Sequence, residues 1–142
     1  MIVVDTSVWV AALRTDGGEA RVLRSLLDED EVLLPVPVKI ELLSGTSNRH
    51  RAALRSALSA LPIAYPTDET WRLMESWTDR AVKNGNSFGV GDLLIAAIAH
   101  EAGALVWSLD DAFSGMERLR LVECYEPDPS ASSRPRAILG TQ

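Results

Sequence analysis

Cysteine is almost missing from this chain. Cys124 stands alone among 142 residues, which excludes an internal disulfide framework and a cysteine metal site. Long apolar runs are missing too, since none reaches the roughly 18 residues that a membrane-spanning helix needs. The N-terminal MIVVDTSVWVAAL has no basic start, and Asp5 interrupts its apolar run, so it does not read as a signal peptide. Nor is there a surplus of positive charge. Fourteen basic residues face 20 acidic ones, a net charge of −6, which argues against a broad basic face that holds nucleic acid. An enzyme that brings metal ions to an acidic site is compatible with that balance. No internal repeat is visible. These absences predict a soluble, cytoplasmic protein with no membrane segment.

What is present fits one globular domain. Hydrophobic content is 46% against 24% charged residues, and the length suffices to bury a core without staples. MIVVD reads as a buried strand closing at Asp5, and TSVWVAALR as a helix that TDGG breaks. Glu19 follows Asp16 at capping-box spacing, and Ala20, Leu23, Leu26 and Leu27 mark an amphipathic helix. EVLLP is a second strand, followed by a helix containing VKIELLSG. Leu54, Leu58 and Leu61 form another helical stripe, and Trp71, Met74, Trp77 and Ala81 a longer one that NGNSFG ends. A helix from Asp92, a strand ALVWS, a turn at Asp110 and Asp111 and a last strand LRLVECY complete the pattern. The domain is expected over residues 1–125, with a flexible tail over 126–142 because PDPSASSRPRAILGTQ has no period. Strands alternating with helices predict a single three-layer α/β/α domain around a central, mostly parallel sheet.

In such a sheet each strand hands over to its helix at the carboxyl edge, where ligands bind. Asp5 ends the first strand and Asp110 follows the strand ALVWS. Asp92 opens the helix that runs back to that strand, and Glu41 lies within about two turns of the second strand's end. Four acids far apart in sequence are thus directed to one edge. Taken singly, Asp5, Asp92 and Asp110 are also explained as helix or turn caps, and Glu41 as part of a wet stripe with Lys39. Together they carry a different expectation. Two like charges about 4 Å apart repel by about 4 kcal/mol at an effective dielectric of 20, and a cation relieves that. Oxygen ligands with no Cys, and with His50 and His100 away from ligand positions, select Mg²⁺ or Mn²⁺. Such an ion supports hydrolysis of a phosphodiester.

VVDTSVW, ELLSG around Glu41, and DLLIAAIAHEAGALVWSLDDAF resemble the PIN-domain ribonucleases, specifically the VapC-type toxins of bacterial toxin–antitoxin modules, over residues 1 to about 125. The resemblance implies a metal-dependent endoribonuclease acting on single-stranded or looped RNA. Its acidic quartet falls on Asp5, Glu41, Asp92 and Asp110, with metal at Asp5, Asp92 and Asp110. Ser7 matches a position that steadies the first Asp, and Ser108 stands where the family usually has Thr. Ala112 departs from a further acid the family often carries, with Asp111 beside it, which leaves one or two ions open. The resemblance also implies a homodimer and a small antitoxin whose C-terminal segment blocks the site. Trp9, Leu13, Val22 and Leu26 are candidates to line its groove, or ordinary core residues.

Substrate contacts are sought among Arg49, His50, Arg51 and Arg55, among Arg14, Arg21 and Arg24, and at Asn84, Asn86 and Ser87, with a solvated helix face as the plainer reading of the arginines. Trp71, Trp77 and Trp107 are expected in the core rather than as stacking platforms. A dehalogenase-like phosphatase lacks its second Asp, since Ser7 occupies the place. A receiver domain lacks its early acid pair and late Lys. The remaining alternative is a PIN-like module that binds a partner without cutting.

Overall fold

In a computed structural model, residues 1–128 are described; of the tail expected over 126–142, residues 129–142 lie outside them. The elements run β1 (Ile2–Val4), α1 (Thr6–Arg14), α2 (Gly18–Asp28), β2 (Val32–Pro35), α3 (Val36–Ser44), α4 (Asn48–Leu58), β3 (Ile63–Ala64), α5 (Asp68–Lys83), α6 (Val90–Glu101), β4 (Leu105–Trp107) and α7 (Asp111–Arg118). The four strands form one parallel sheet in the order β3-β2-β1-β4. Ile2 pairs with Val32 on one side and Leu105 on the other. The expected α/β architecture is therefore present.

The strands are short and β-branched, and β1 is buried along its whole length, as a parallel sheet covered on both faces requires. The apolar helix α6 buries Leu93 and Ile95 to Ala99, and it packs against β1, β2, β4 and α5. Val3, Val4, Leu34, Val106 and Phe113 are at most 1% exposed and form the centre of the core. No helix among the described residues is long and apolar enough to cross a membrane.

Five local expectations are corrected. Instead of a strand, residues 119–125 contribute one parallel bridge, Val106 to Cys124. Leu119 and Leu121 still donate to Gly115 and Met116 carbonyls, and Arg120 adopts a left-handed φ of 60°, so the chain is turning off α7 when a strand would begin. Strand β3 was missed because two residues carry no period. Leu61 lies beyond α4, its N–H closing a turn on Leu58. Asp16 caps nothing: α2 starts after Gly17, and Asp16 pairs at 3.4 Å with exposed Arg24. Trp71, expected in the core with Trp77 and Trp107, is 48% exposed, while the other two are buried. Trp71 sits in the first turn of α5, ahead of the buried stripe of Met74, Trp77 and Ala81.

Candidate active site

The ends of β1 and β4 are tied together at the carboxyl edge by the Asp5 N–H, which donates to the Trp107 carbonyl at 2.8 Å. Asp5 is the N-cap of α1 and only 5% exposed. Its Oδ2 accepts the hydroxyls of Ser7 (2.7 Å) and Ser108 (2.8 Å) and, at 3.4 Å, the Ser7 N–H. Each serine also accepts from the loop after β4: Ser7 Oγ from the Leu109 N–H and Ser108 Oγ from the Asp110 N–H, both at 3.0 Å. Two hydroxyls thus relay between a buried carboxylate and the backbone that carries Asp110. The bonds gather on Oδ2, and Oδ1 accepts none among the described residues.

Asp110 caps α7, its Oδ1 accepting the Ala112 N–H at 2.9 Å. Asp92 does not open α6 as expected. Val90 begins the helix after Gly89, and Asp92 lies in the first turn, half-buried, accepting no hydrogen bond among the described residues. Its carboxyl is held above the ordinary value of 3.8 by burial first, then by the negative charges of Asp110, Asp5 and Glu41 in that order. Glu41, in the second turn of α3, is exposed. The four expected acids therefore share one electrostatic neighbourhood, although no three Asp, Glu, His or Cys side chains among the described residues already stand in joint ligand range of one ion. These two facts are compatible, because carboxylates repel over distances longer than a metal–oxygen bond.

The donors fit a hard cation that keeps much of its water and takes one or two carboxylates directly. All four are carboxylates. His100 is elsewhere, its Nδ1 3.1 Å from the Leu121 carbonyl and its ring edge-on to Trp77.

Around the acids, the expected polar contacts divide. Arg51 is committed to structure: it donates to the Leu43 and Thr46 carbonyls (3.1 and 2.8 Å) and to Asn48, closing the exit of α3. Asn84 and Asn86 donate to the Arg80 and Asn84 carbonyls, finishing α5. Arg14 and His50 line a groove of about 580 Å³ together with Glu41, Leu13, Leu42 and Leu54. Of the four expected groove residues, Leu13 is 63% exposed on this groove, whereas Trp9, Val22 and Leu26 are buried in the core. What the sequence did not disclose is the groove's far wall on α4, and the backbone N–H groups of Leu109 and Asp110 as partners of Ser7 and Ser108. The Leu109–Ser7 bond joins segments 102 positions apart and leaves no local spacing to read, whereas the Asp110–Ser108 bond spans only two.

The PIN domain family matches residues 2–119. Ribonuclease VapC11 of Mycobacterium tuberculosis is 31% identical over 126 residues, covering 84% of this chain and 93% of the relative. Among solved structures, VapBC-1 from nontypeable Haemophilus influenzae superposes with a TM-score of 0.72 at 16% identity, covering 89% of this chain and 98% of that one. VapBC2 from Rickettsia felis, bound to a DNA fragment from its promoter, gives 0.70 at 19% identity, covering 88% and 98%. By sequence coverage and by fold, the chain belongs to the PIN-domain family, in its VapC branch.

Proposed function

We propose that this protein is a Mg²⁺- or Mn²⁺-dependent endoribonuclease, the toxin of a toxin–antitoxin pair, acting in the cytoplasm. The observation that carries the reading is the hydrogen-bonded link from Asp5 through Ser108 to the Asp110 backbone, beside an Asp92 carboxyl held above its ordinary value by burial first and then by the charges of Asp110, Asp5 and Glu41. Capping accounts for Asp5 and Asp110, but Asp92 and Glu41 cap nothing. The name of the M. tuberculosis relative supports the same activity.

Asp5, through Oδ1, with Asp92 and Asp110, would hold the ion, and Glu41 would extend the anionic wall at the mouth. A divalent cation bound there supplies an activated water and relieves charge on the leaving oxygen of a phosphodiester. The protein's own part is orientation. The Ser7 and Ser108 hydroxyls fix Asp5 Oδ2, and the same hydroxyls fix the loop bearing Asp110. The groove of Leu13, Leu42 and Leu54 would take an apolar stretch of the antitoxin, and Glu41 at its side would attract a basic residue of that segment. A homodimer, implied by the resemblance, belongs to the same proposal and is checked by light scattering.

The decisive experiment incubates purified protein with a mixed RNA pool in Mg²⁺ or Mn²⁺, in chelator, and as Asp92→Asn, followed by end mapping. Defined cuts in metal alone, lost in the variant, are the expected result. Uncut RNA in every arm, together with intact antitoxin binding, would establish the non-cutting module instead.

A further inference from the structure

Beside the Ser108–Leu109 turn lies a cavity of about 350 Å³ that the acidic rim does not use. Its walls are Glu19 and Val22 of α2, the turn itself, and residues 125–128. Tyr125 is half-buried and firmly seated. Its N–H donates to the Val106 carbonyl at 2.7 Å, and its ring meets buried Trp107 edge-on, 5.8 Å between centroids at 65°. Leu109 stands at the lip, 51% exposed, with its N–H locked onto Ser7. Glu19 is half-buried, yet its carboxylate has no hydrogen bond or ion pair among the described residues. Tyr125, the apolar Leu109 and Glu19, whose carboxylate has no protein partner among the described residues, therefore line one space, next to the loop that carries Asp110.

The size is at the lower end of small-ligand sites, suited to one planar group. Glu19 and Glu126 on its wall repel phosphate. A phosphodiester would thus stay outside, at the cation that the acidic rim would hold, while an attached base enters. Unstacked RNA bases are taken up against aromatic side chains and read on their Watson–Crick edges. A carboxylate, which only accepts, selects a base by its donors. Guanine presents two adjacent donors, N1–H and the 2-amino group, that one carboxylate takes in parallel. We propose that this cavity seats a guanine next to the scissile phosphate, against Tyr125, with Glu19 as the reader of its edge. The proposal rests on the ribonuclease reading above and adds the base to it.

Two measurements test it. The first is cleavage of RNAs carrying guanine or inosine, which lacks the 2-amino group, at each position flanking a mapped cut. Wild type should cut the guanine RNA about tenfold faster at one such position, and Glu19→Gln should bring that ratio close to one. The second is amide NMR of the metal-free protein with guanosine or adenosine. Guanosine alone should shift Gly18, Glu19, Leu109 and Tyr125, and the shifts should be lost in Glu19→Gln. Equal rates for guanine and inosine in wild type, or a ratio kept in Glu19→Gln, overturns the proposal. So do shifts with N-acetylarginine amide and none with guanosine, which would assign the cavity to a protein partner's arginine. Guanosine shifts in a protein that cuts no RNA would keep the base pocket and remove the ribonuclease reading. Metal-dependent cutting without guanine preference would do the reverse.

Discussion

Ser108 Oγ donates to Asp5 Oδ2 at 2.8 Å across 103 positions of sequence, and the same oxygen accepts the Asp110 N–H at 3.0 Å. One small hydroxyl therefore couples the ends of β1 and β4. It sets the position of a second acid by backbone rather than by ion. These bonds hold Asp5 and the Asp110 backbone in place without any ion, which shapes what each substitution should do.

Removing that hydroxyl takes away one of the bonds that hold buried Asp5 Oδ2, while Ser7 still donates to it. Ser108→Ala should lower unfolding stability by about 1.5–3 kcal/mol, the usual worth of a hydrogen bond to a charged group. It should also slow RNA cleavage more than it weakens RNA binding. Ser108→Thr keeps the oxygen and should restore both. Urea melts and single-turnover cleavage of the three proteins provide the comparison, and an alanine variant with normal rate and stability would contradict the relay.

Divalent metal should raise the melting temperature. Binding at 100 times the dissociation constant stabilises by about 2.7 kcal/mol. Asp92→Asn removes a carboxylate that burial and three neighbouring charges disfavour. The metal-free variant should thus be as stable as wild type or more so, while losing most of the Mg²⁺ or Mn²⁺ gain in a thermal shift series.

The same carboxyl predicts a pH dependence. A folded pKa raised above the unfolded value of about 3.8 means that the folded state binds the proton more tightly. This contribution is fully present below 3.8 and is lost as pH rises through the raised folded value. In chelator, the stability difference between wild type and Asp92→Asn should move against wild type as pH rises through that window. A difference that is flat, or that moves the other way, would remove the electrostatic coupling.

Arg51 tests the division between structure and substrate. Its three guanidinium nitrogens each donate once, to the Leu43 and Thr46 carbonyls and to Asn48, at the exit of α3. Arg51→Ala should cost about 1–3 kcal/mol in a denaturant melt and leave the salt dependence of RNA binding unchanged. A phosphate contact would instead reduce the salt slope by about one unit.

Some of this was legible in the amino-acid string because its physics is local. Val3 and Val4 running into Asp5, or a helix as apolar as Leu93 to Ala99, declare burial and direction through residue type and period alone. Parallel topology then brings Asp5, Glu41, Asp92 and Asp110 to one edge, since each stands near a strand's carboxyl end or at the start of a helix that returns from it. Where the period was too short or a competing bond took over, the string misled. Two-residue β3 carries no pattern, and the left-handed Arg120 turned an apolar run into a single bridge. Trp71 belongs to the helical stripe by spacing, but only the folded chain shows that it stays 48% exposed while Thr70, beside it in the same turn, is buried against Glu101 of α6.

The order of residues by itself determined the helices and the strands β1, β2 and β4 to within a few residues, and which end of the sheet would be acidic, because propensity and periodicity act over a few residues. Only the folded chain decided which oxygen of Asp5 is occupied, that Ser7 and Ser108 fasten the loop bearing Asp110, and that Glu19 and Tyr125 face the same cavity. Those relationships depend on hydrogen-bond distances between segments about a hundred residues apart, and such distances exist only once the core has closed.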